Sequence, residues 1–299
     1  MSDVVEEARL QTLASLRVLD TAREERFDRL GRLTQKLFDV PTARELSQDQ
    51  LEVLRALADL VEAELARNDE LDRAGEMQRN LLPRKVPRLP GYDVAGVCLP
   101  ATAVGGDFYD WHMVGDDFQV VLADVMGKGV PAALIGAGVR ALMRGASGYN
   151  DLEQTVNRVA ASVEADLAET STFVTMLAAR LDPVEHVLTY VDAGHGIAGV
   201  VTGQGKAEQF ESDGLPLGAP AWEPWRAERV VLAPGDTFVA LSDGLLDLFG
   251  TIEEAREAIR VTIDNASSAQ EVVDIVAGYS RDHHATDDVT CVVIMRSDR

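Results

Sequence analysis

Leucine spacing in the first part of the chain predicts helices. Between residues 3 and 39, apolar residues recur at intervals of three or four, which places them on one face of a helix. They are Leu10, Leu13, Leu16, Leu19, Phe27, Leu30, Leu33 and Leu37. A second helix is predicted from Ser47, a residue that suits an N-cap. Its apolar stripe consists of Leu51, Leu54, Ala58, Val61 and Leu65.

The spacing of this stripe fits a coiled-coil seam, and it fits equally a helix that packs on its own chain. A helical pattern continues to Leu82 and contains Gly75, which costs about 1 kcal/mol relative to Ala in a helix. Gly75 is either a bending point or a tolerated glycine. Pro83, Pro87 and Pro90 are predicted to end the helical part of the chain.

From Tyr92 onward, short apolar runs separated by turn residues predict strands. The expected strands lie at 92–99, 107–113, 118–123, 173–181, 186–191, 197–202, 207–210, 229–232, 236–241 and from 289. Helices are expected to begin at Val130-Pro131 and to span about 151–169, 251–261 and 268–281. The helix after Pro131 is apolar on nearly all sides, which predicts burial all round. This alternation indicates an α+β fold.

Several of these strands end or begin at an aspartate. A hairpin with its turn at Gly115-Asp116 would place Asp107 opposite Asp124. Asp243 follows the apolar run 237–242, and the pair Asp287 and Asp288 precedes the last strand. If the last strand lies antiparallel to the other two, all five carboxylates converge on one edge, which we call the acidic rim.

Carboxylates at the edge of a core repel one another and are costly unless a cation or hydrogen-bond donors neutralise them. A cluster made only of carboxylates suits Mg²⁺ or Mn²⁺ rather than zinc. Any single Asp-Gly pair is equally well a turn. Because the five residues share matching strand ends, the metal interpretation is favoured for the set.

Composition narrows the possible partners. The chain has 50 acidic and 28 basic residues, a net charge of −22 that argues against nucleic acid or an anionic membrane as partner. Cys98 and Cys291 lie in apolar, strand-like runs and are predicted to be reduced and buried. No apolar run approaches ~18 residues, and the N-terminus lacks signal-peptide features, which predicts a cytoplasmic protein.

Five motifs occur in a fixed order over roughly residues 76–297: GGDFYDW, ADVMGKGVPAAL, DAGH, SDGLLD and TDDVT. Together they resemble the bacterial metal-dependent serine/threonine phosphatases of the stage II sporulation protein E type, within the PPM superfamily. The resemblance implies a four-layer α/β-β/α sandwich of antiparallel sheets. The organisation we expect is a helical segment at 1–70, a helical linker at 71–90 and a phosphatase domain at 91–299.

The resemblance also implies the roles of the acidic rim. Asp124 would bridge two divalent ions, with the backbone carbonyl of Val125 as its companion. Asp243 and Asp287 would hold the second ion, with Asp288 as the alternative of that pair. Asp107 would act directly or through water. Two such ions activate a water for attack on phosphorus, so no nucleophilic side chain is required.

Three further residues have two readings each, and a fourth departs from the family pattern. Lys128 either meets a substrate phosphate or is a solvated loop lysine, and His195 is either a general acid or a structural turn residue. Asp110 is either a hydrogen-bonding support for the site or an ordinary polar strand residue. Asp192 stands where relatives have asparagine.

The sequence therefore predicts a Mn²⁺- or Mg²⁺-dependent protein phosphatase. By resemblance, its substrate is a phosphorylated STAS-domain anti-sigma-factor antagonist. The alternatives are a catalytically silent scaffold that binds the same class of partner, and a hydrolase of small phosphoesters. The helices at 1–70 resemble a GAF domain reduced to its helices, and their apolar stripe predicts a homodimer.

Overall fold

A computed structural model describes residues 48–211, 214–219, 224–283 and 285–297. The helices predicted between residues 3 and 39, and with them most of the GAF-like segment, lie outside this range. The second predicted helix is present as α1 (Gln48–Leu81), which runs without interruption through Gly75. None of the helices in the described ranges is long and apolar enough to cross a membrane.

Leu71–Arg299 forms one compact unit. Its remaining helices are α2 (Val130–Ser147), α3 (Leu152–Thr170), α4 (Ile252–Asn265) and α5 (Ala269–Asp282), with a 3₁₀ helix at Asp243–Leu248. Its strands are β1 (Tyr92–Leu99), β2 (Phe108–Val114), β3 (Asp117–Val125), β4 (Val174–Asp182), β5 (Val187–Ala193), β6 (Ala198–Val201), β7 (Ala207–Gln209), β8 (Glu228–Val231), β9 (Thr237–Leu241) and β10 (Val289–Arg296).

The strands form two antiparallel sheets of five. Sheet A has the order β1-β10-β9-β6-β7, and sheet B has the order β2-β3-β4-β5-β8. One apolar cluster joins the facing sides of the two sheets and includes Trp111, Phe118 and Phe238. A second cluster lies between sheet B and the pair α2 and α3, and a third between sheet A and the pair α4 and α5. These three cores define the four layers, as expected.

Side-chain caps fix the starts of three helices. Asp151, Thr251 and Ser268 each accept a hydrogen bond from a backbone N–H in the first turn that follows. Such a bond satisfies one of the donors that a helix start leaves free. Within the described residues, the expected element types are confirmed, with bounds shifted by a few residues at most.

The expectation that α2 is buried on all sides is wrong. Ala132, Val139 and Met143 face the core, whereas Leu134 is 69% exposed on the opposite side. α2 belongs to an outer layer, and its buried face packs on sheet B and α3, so the apolar residues on its opposite face stay exposed.

Candidate metal centre

The hairpin of β2 and β3 places two carboxylates side by side. Phe108 pairs with Ala123, and the register continues to Val114 opposite Asp117. One step beyond Phe108, Asp107 therefore lies opposite Asp124, as the hairpin pattern predicts. Asp107 is almost completely buried, and Asp124 is partly exposed.

Sheet A contributes the other three carboxylates. β10 runs antiparallel to β9, with Cys291 opposite Leu241, so the start of β10 meets the end of β9. This brings Asp243 close to Asp287 and Asp288. The expected antiparallel arrangement of β10 and β9 is confirmed, whereas β3 lies in sheet B and does not pair with them. The acidic rim is thus shared by the two sheets.

Burial and neighbouring charges raise the pKa of both aspartates of the hairpin, Asp107 and Asp124. Burial, and the neighbouring Asp124, raise the pKa of Asp107 well above its usual value, and the nearby hydroxyls of Thr290 and Ser242 offset only part of this rise. Burial, then Asp243 and Asp287, raise the pKa of Asp124 to about 6. Ionisation of either carboxyl therefore makes ionisation of the other less favourable, because two neighbouring negative charges repel.

The pKa of Asp243 is raised for the same reasons. Burial, then the charges of Asp287 and Asp247, raise its pKa above the usual value. Asp124 and Asp243 belong to different sheets, yet each lies within electrostatic reach of Asp287. The charges of the rim therefore act on one another as a group, and a cation bound there would relieve several of them at once.

The adjacent residues Asp287 and Asp288 have different partners. Both carboxylate oxygens of Asp288 accept backbone N–H groups, from Ala101 at 2.8 Å, Gly106 at 2.7 Å and Asp107 at 3.3 Å. Asp287 is half-exposed and lies 3.1 Å from the Lys128 ammonium, which also donates to the Thr286 carbonyl. The charge of Asp287 acts on Asp124 more strongly than that of Asp288 does.

The donor set of the acidic rim fits a hard divalent cation. Oδ2 of Asp107 is buried and has no hydrogen-bond partner among the described residues. Next to it, a Cβ added at Gly106 would lie 2.7 Å from the Val125 carbonyl oxygen, so the glycine leaves that oxygen accessible. Within the described ranges, no three acidic, histidine or cysteine side chains already converge at ligand distance.

Asp110 does not reach the acidic rim. Its buried carboxylate accepts two hydrogen bonds from Arg144, one of them at 2.7 Å, and lies 3.4 Å from Arg140. These contacts tie β2 to α2, the helix that follows the Asp124 loop. Asp110 therefore supports the packing of β2 on α2, and its support for the site stays a prediction.

The turn at Asp192 and His195 connects the two sheets at the same end as the rim. The Asp192 carboxylate accepts the backbone N–H of His195 at 2.6 Å and that of Gly196 at 2.9 Å. His195 is buried, and burial lowers its pKa, so the imidazole is neutral at physiological pH. A buried neutral imidazole matches a structural role better than a general acid.

Two hydroxyl residues at the rim were not identified from the sequence. Ser242 Oγ accepts the N–H of Thr290 at 2.8 Å and donates to the Asp288 carbonyl at 3.1 Å. These bonds hold the end of β9 to the start of β10. Both residues lie within the motifs SDGLLD and TDDVT, and that position was the only signal in the sequence.

Two antiparallel sheets between helical layers, with carboxylates from both sheets at one edge, define the PP2C class of phosphatase fold. The family model described as "Stage II sporulation protein E (SpoIIE)" matches residues 115–297, more than half of the chain. The chain belongs to this family, and its sandwich is a domain of the serine phosphatase type.

Two curated relatives support this assignment. The phosphoserine phosphatase RsbU of Bacillus subtilis (strain 168) is 30% identical over 240 residues, covering 76% of this chain and 70% of RsbU. Protein IcfG of Synechocystis sp. (strain ATCC 27184 / PCC 6803 / Kazusa) is 26% identical over 263 residues, again 76% of this chain. The match spans only 42% of the length of IcfG.

Solved structures show the same fold. The RsbU and RsbW domains of Rv1364c from Mycobacterium tuberculosis match with 28% identity and a TM-score of 0.62, covering 71% of this chain and 63% of that one. The SiaA-PP2C domain of Pseudomonas aeruginosa gives a TM-score of 0.68 at 24% identity, covering 79% and 99%. RsbX, in complex with magnesium, gives 0.59 at 16% identity, covering 71% and 99%.

Proposed function

We propose that this chain hydrolyses phosphoserine or phosphothreonine in a protein, with two divalent cations, Mn²⁺ or Mg²⁺, held at the acidic rim. The observation that carries the proposal is that carboxylates from both sheets lie within electrostatic reach of one another, where burial and neighbouring charges raise the pKa of Asp107, Asp124 and Asp243. A divalent cation that prefers oxygen ligands suits such a group of carboxylates. The magnesium complex of RsbX supports this choice of ion.

The contacts suggest a role for each residue. Asp124 interacts with Asp107 of its own sheet and with Asp243 and Asp287 of the other, which suits a ligand shared by both ions. Asp107 and the Val125 carbonyl would complete the side of sheet B, and Asp243 and Asp287 that of sheet A. Two divalent ions supply a water of lowered pKa and offset the charge on the phosphate.

The hydrogen bonds of Asp288 suit a different role. Its carboxylate accepts three backbone N–H groups from residues 101–107, two of them at the same oxygen. We therefore assign Asp287 as the direct ligand and Asp288 as the residue that holds Asp107 in place. The reaction requires no phosphorylated side chain, and the buried, neutral His195 takes no part in it.

The protein substrate we propose is a phosphorylated STAS-domain anti-sigma-factor antagonist. Similarity to the phosphoserine phosphatase RsbU, and to a protein that carries RsbU and RsbW domains, supports a place in a partner-switching pathway. Dephosphorylation would let the antagonist bind an anti-sigma kinase and so free a sigma factor.

The test is phosphate release from a phosphorylated STAS protein by the purified chain, with Mn²⁺ and with EDTA. Release that needs Mn²⁺ is expected, and Asp243→Asn should abolish it because one ligand of the second ion is lost. Asp116→Asn, an equal change of charge at the exposed hairpin turn, is the matched control. If the chain binds the STAS protein but releases no phosphate, it is a silent scaffold. If it releases phosphate from p-nitrophenyl phosphate and not from the STAS protein, it is a small-phosphoester hydrolase.

We further propose that the chain is a homodimer through its N-terminal helices. The support is the apolar stripe from Leu51 to Leu65, which a second copy would cover. Light scattering of the full chain and of a chain that begins at Met77 tests this directly. A monomeric full chain would refute the pairing.

A further inference from the structure

The last turns of α1 pack on the loop that leads to Asp107, residues 100–106, which we call the support loop. Gly75 is buried against this loop, and a Cβ added there would lie 2.1 Å from the Ala103 carbonyl oxygen. Any side chain at position 75 would push the loop away. The glycine is therefore neither a bend nor merely tolerated, because it permits a close contact between the helix and the loop.

One turn further along α1, Gln78 binds the same loop through both ends of its amide. Its Nε2 donates to the Gly105 carbonyl at 2.7 Å, and its Oε1 accepts the Gly105 N–H at 3.0 Å. The two bonds fix the peptide groups on both sides of Gly105. A Gly-Gly step would otherwise leave these peptide groups more freedom to rotate than any other pair of residues.

The opposite side of the support loop faces Asp288. A Cβ added at Gly105 would lie 2.4 Å from Asp288 Oδ2, and the same oxygen accepts the N–H of Gly106 at 2.7 Å. The carbonyl of Gly105 and the N–H of Gly106 belong to one peptide group. That group is thus bound by the Gln78 amide at its oxygen and by the Asp288 carboxylate at its nitrogen, and such chains of hydrogen bonds strengthen one another.

We propose that Gln78 is a positioning residue for the acidic rim and that its two hydrogen bonds maintain the affinity of the rim for divalent cations. The inference rests on the proposed function. Rotation of the Gly105–Gly106 peptide would remove a donor from Asp288 and displace Asp107, whose own N–H also points to Asp288. Residues that orient metal ligands typically change metal affinity by roughly 10–100-fold when they are replaced.

The test measures Mn²⁺ binding to the full chain by isothermal titration calorimetry, together with the melting temperature in EDTA. Gln78→Ala removes both hydrogen bonds, whereas Gln78→Glu keeps the size and places a carboxylate oxygen against the Gly105 carbonyl. Both should weaken Mn²⁺ binding by about tenfold or more. Met77→Ala changes the neighbouring side chain, which is 71% exposed, and should bind Mn²⁺ as the wild type does.

The outcomes separate the two proposals. Wild-type affinity in both Gln78 variants, even with a lower melting temperature, would show that Gln78 only stabilises the fold and would overturn the positioning role. If Gln78→Ala does not fold, Gln78→Glu decides alone. A wild-type chain that binds no Mn²⁺ would overturn the proposed function itself, and this inference with it.

Discussion

Replacing Asp124 by Asn should stabilise the protein in EDTA and remove its response to Mn²⁺. The folded chain raises the pKa of Asp124 from 3.8 to about 6, chiefly through burial and the charges of Asp243 and Asp287. A carboxyl with a raised pKa stabilises the fold below its unfolded pKa, and this contribution is lost as the pH rises through the folded value. At pH 7.5, the ionised Asp124 therefore destabilises the metal-free fold.

The magnitude follows from the shift in pKa. A difference of about two pH units corresponds to about 3 kcal/mol, and partial exposure of the side chain reduces this to about 1–2 kcal/mol. For a domain of this size, each kcal/mol changes the melting temperature by roughly 2–4 °C. Asp124→Asn should therefore melt about 2–8 °C above the wild type in EDTA at pH 7.5, with a smaller difference at pH 5.

Differential scanning fluorimetry at both pH values, in EDTA and in Mn²⁺, measures these differences. Mn²⁺ should raise the melting temperature of the wild type and leave that of Asp124→Asn nearly unchanged. Asp116→Asn controls for the loss of one charge on an exposed turn. An Asn variant that melts below the wild type in EDTA, or that gains as much from Mn²⁺, would refute the reasoning.

Two further variants address residues whose sequence patterns had two readings. His195→Gln should lower the melting temperature by a few degrees, because changing a buried polar group costs roughly 1–3 kcal/mol, and should leave the pH profile of kcat unchanged. If His195→Gln instead loses the acidic limb of the pH profile of kcat and keeps a normal melting temperature, His195 is a general acid. Lys128→Gln should tighten Mn²⁺ binding by up to about fivefold, because the ammonium pairs with Asp287 and such exposed pairs are worth up to ~1 kcal/mol. Lys206→Gln, which removes another exposed ion pair, is the calorimetric control, and weaker binding by Lys128→Gln would contradict the competition.

Local patterns determined the types of the secondary-structure elements. Strand alternation, helical spacing and capping residues such as Asp151 and Ser268 act over a few residues, and the sequence displays them directly. Burial of α2 was overestimated because an apolar composition does not reveal how many neighbouring layers a helix has. Leu134 is exposed, although a leucine in an apolar helix is expected to be buried.

The division of strands between the two sheets was not predictable in the same way. β3 and β10 have the same apolar pattern, since each is covered on both faces of its sheet. Their separation depends on pairings between residues far apart in sequence, such as Cys291 with Leu241. The carboxylates could be assigned to one edge from strand ends alone, but the sharing of that edge by two sheets could not.

The different contacts of Asp287 and Asp288 show which features of a site cannot be predicted from the sequence. Both residues precede a strand, and Asp287 lies in the bend before it. The carboxylate of Asp287 meets Lys128, and that of Asp288 meets the backbone of the support loop. Backbone N–H groups occur in every sequence, so a carboxylate that binds them far along the chain leaves no local motif. Gln78 escapes for the same reason, because both ends of its amide bind backbone atoms of Gly105, 27 residues away. Unlike helix caps, whose partners are a few residues away, side chains that hold distant backbone in place have to be found from coordinates.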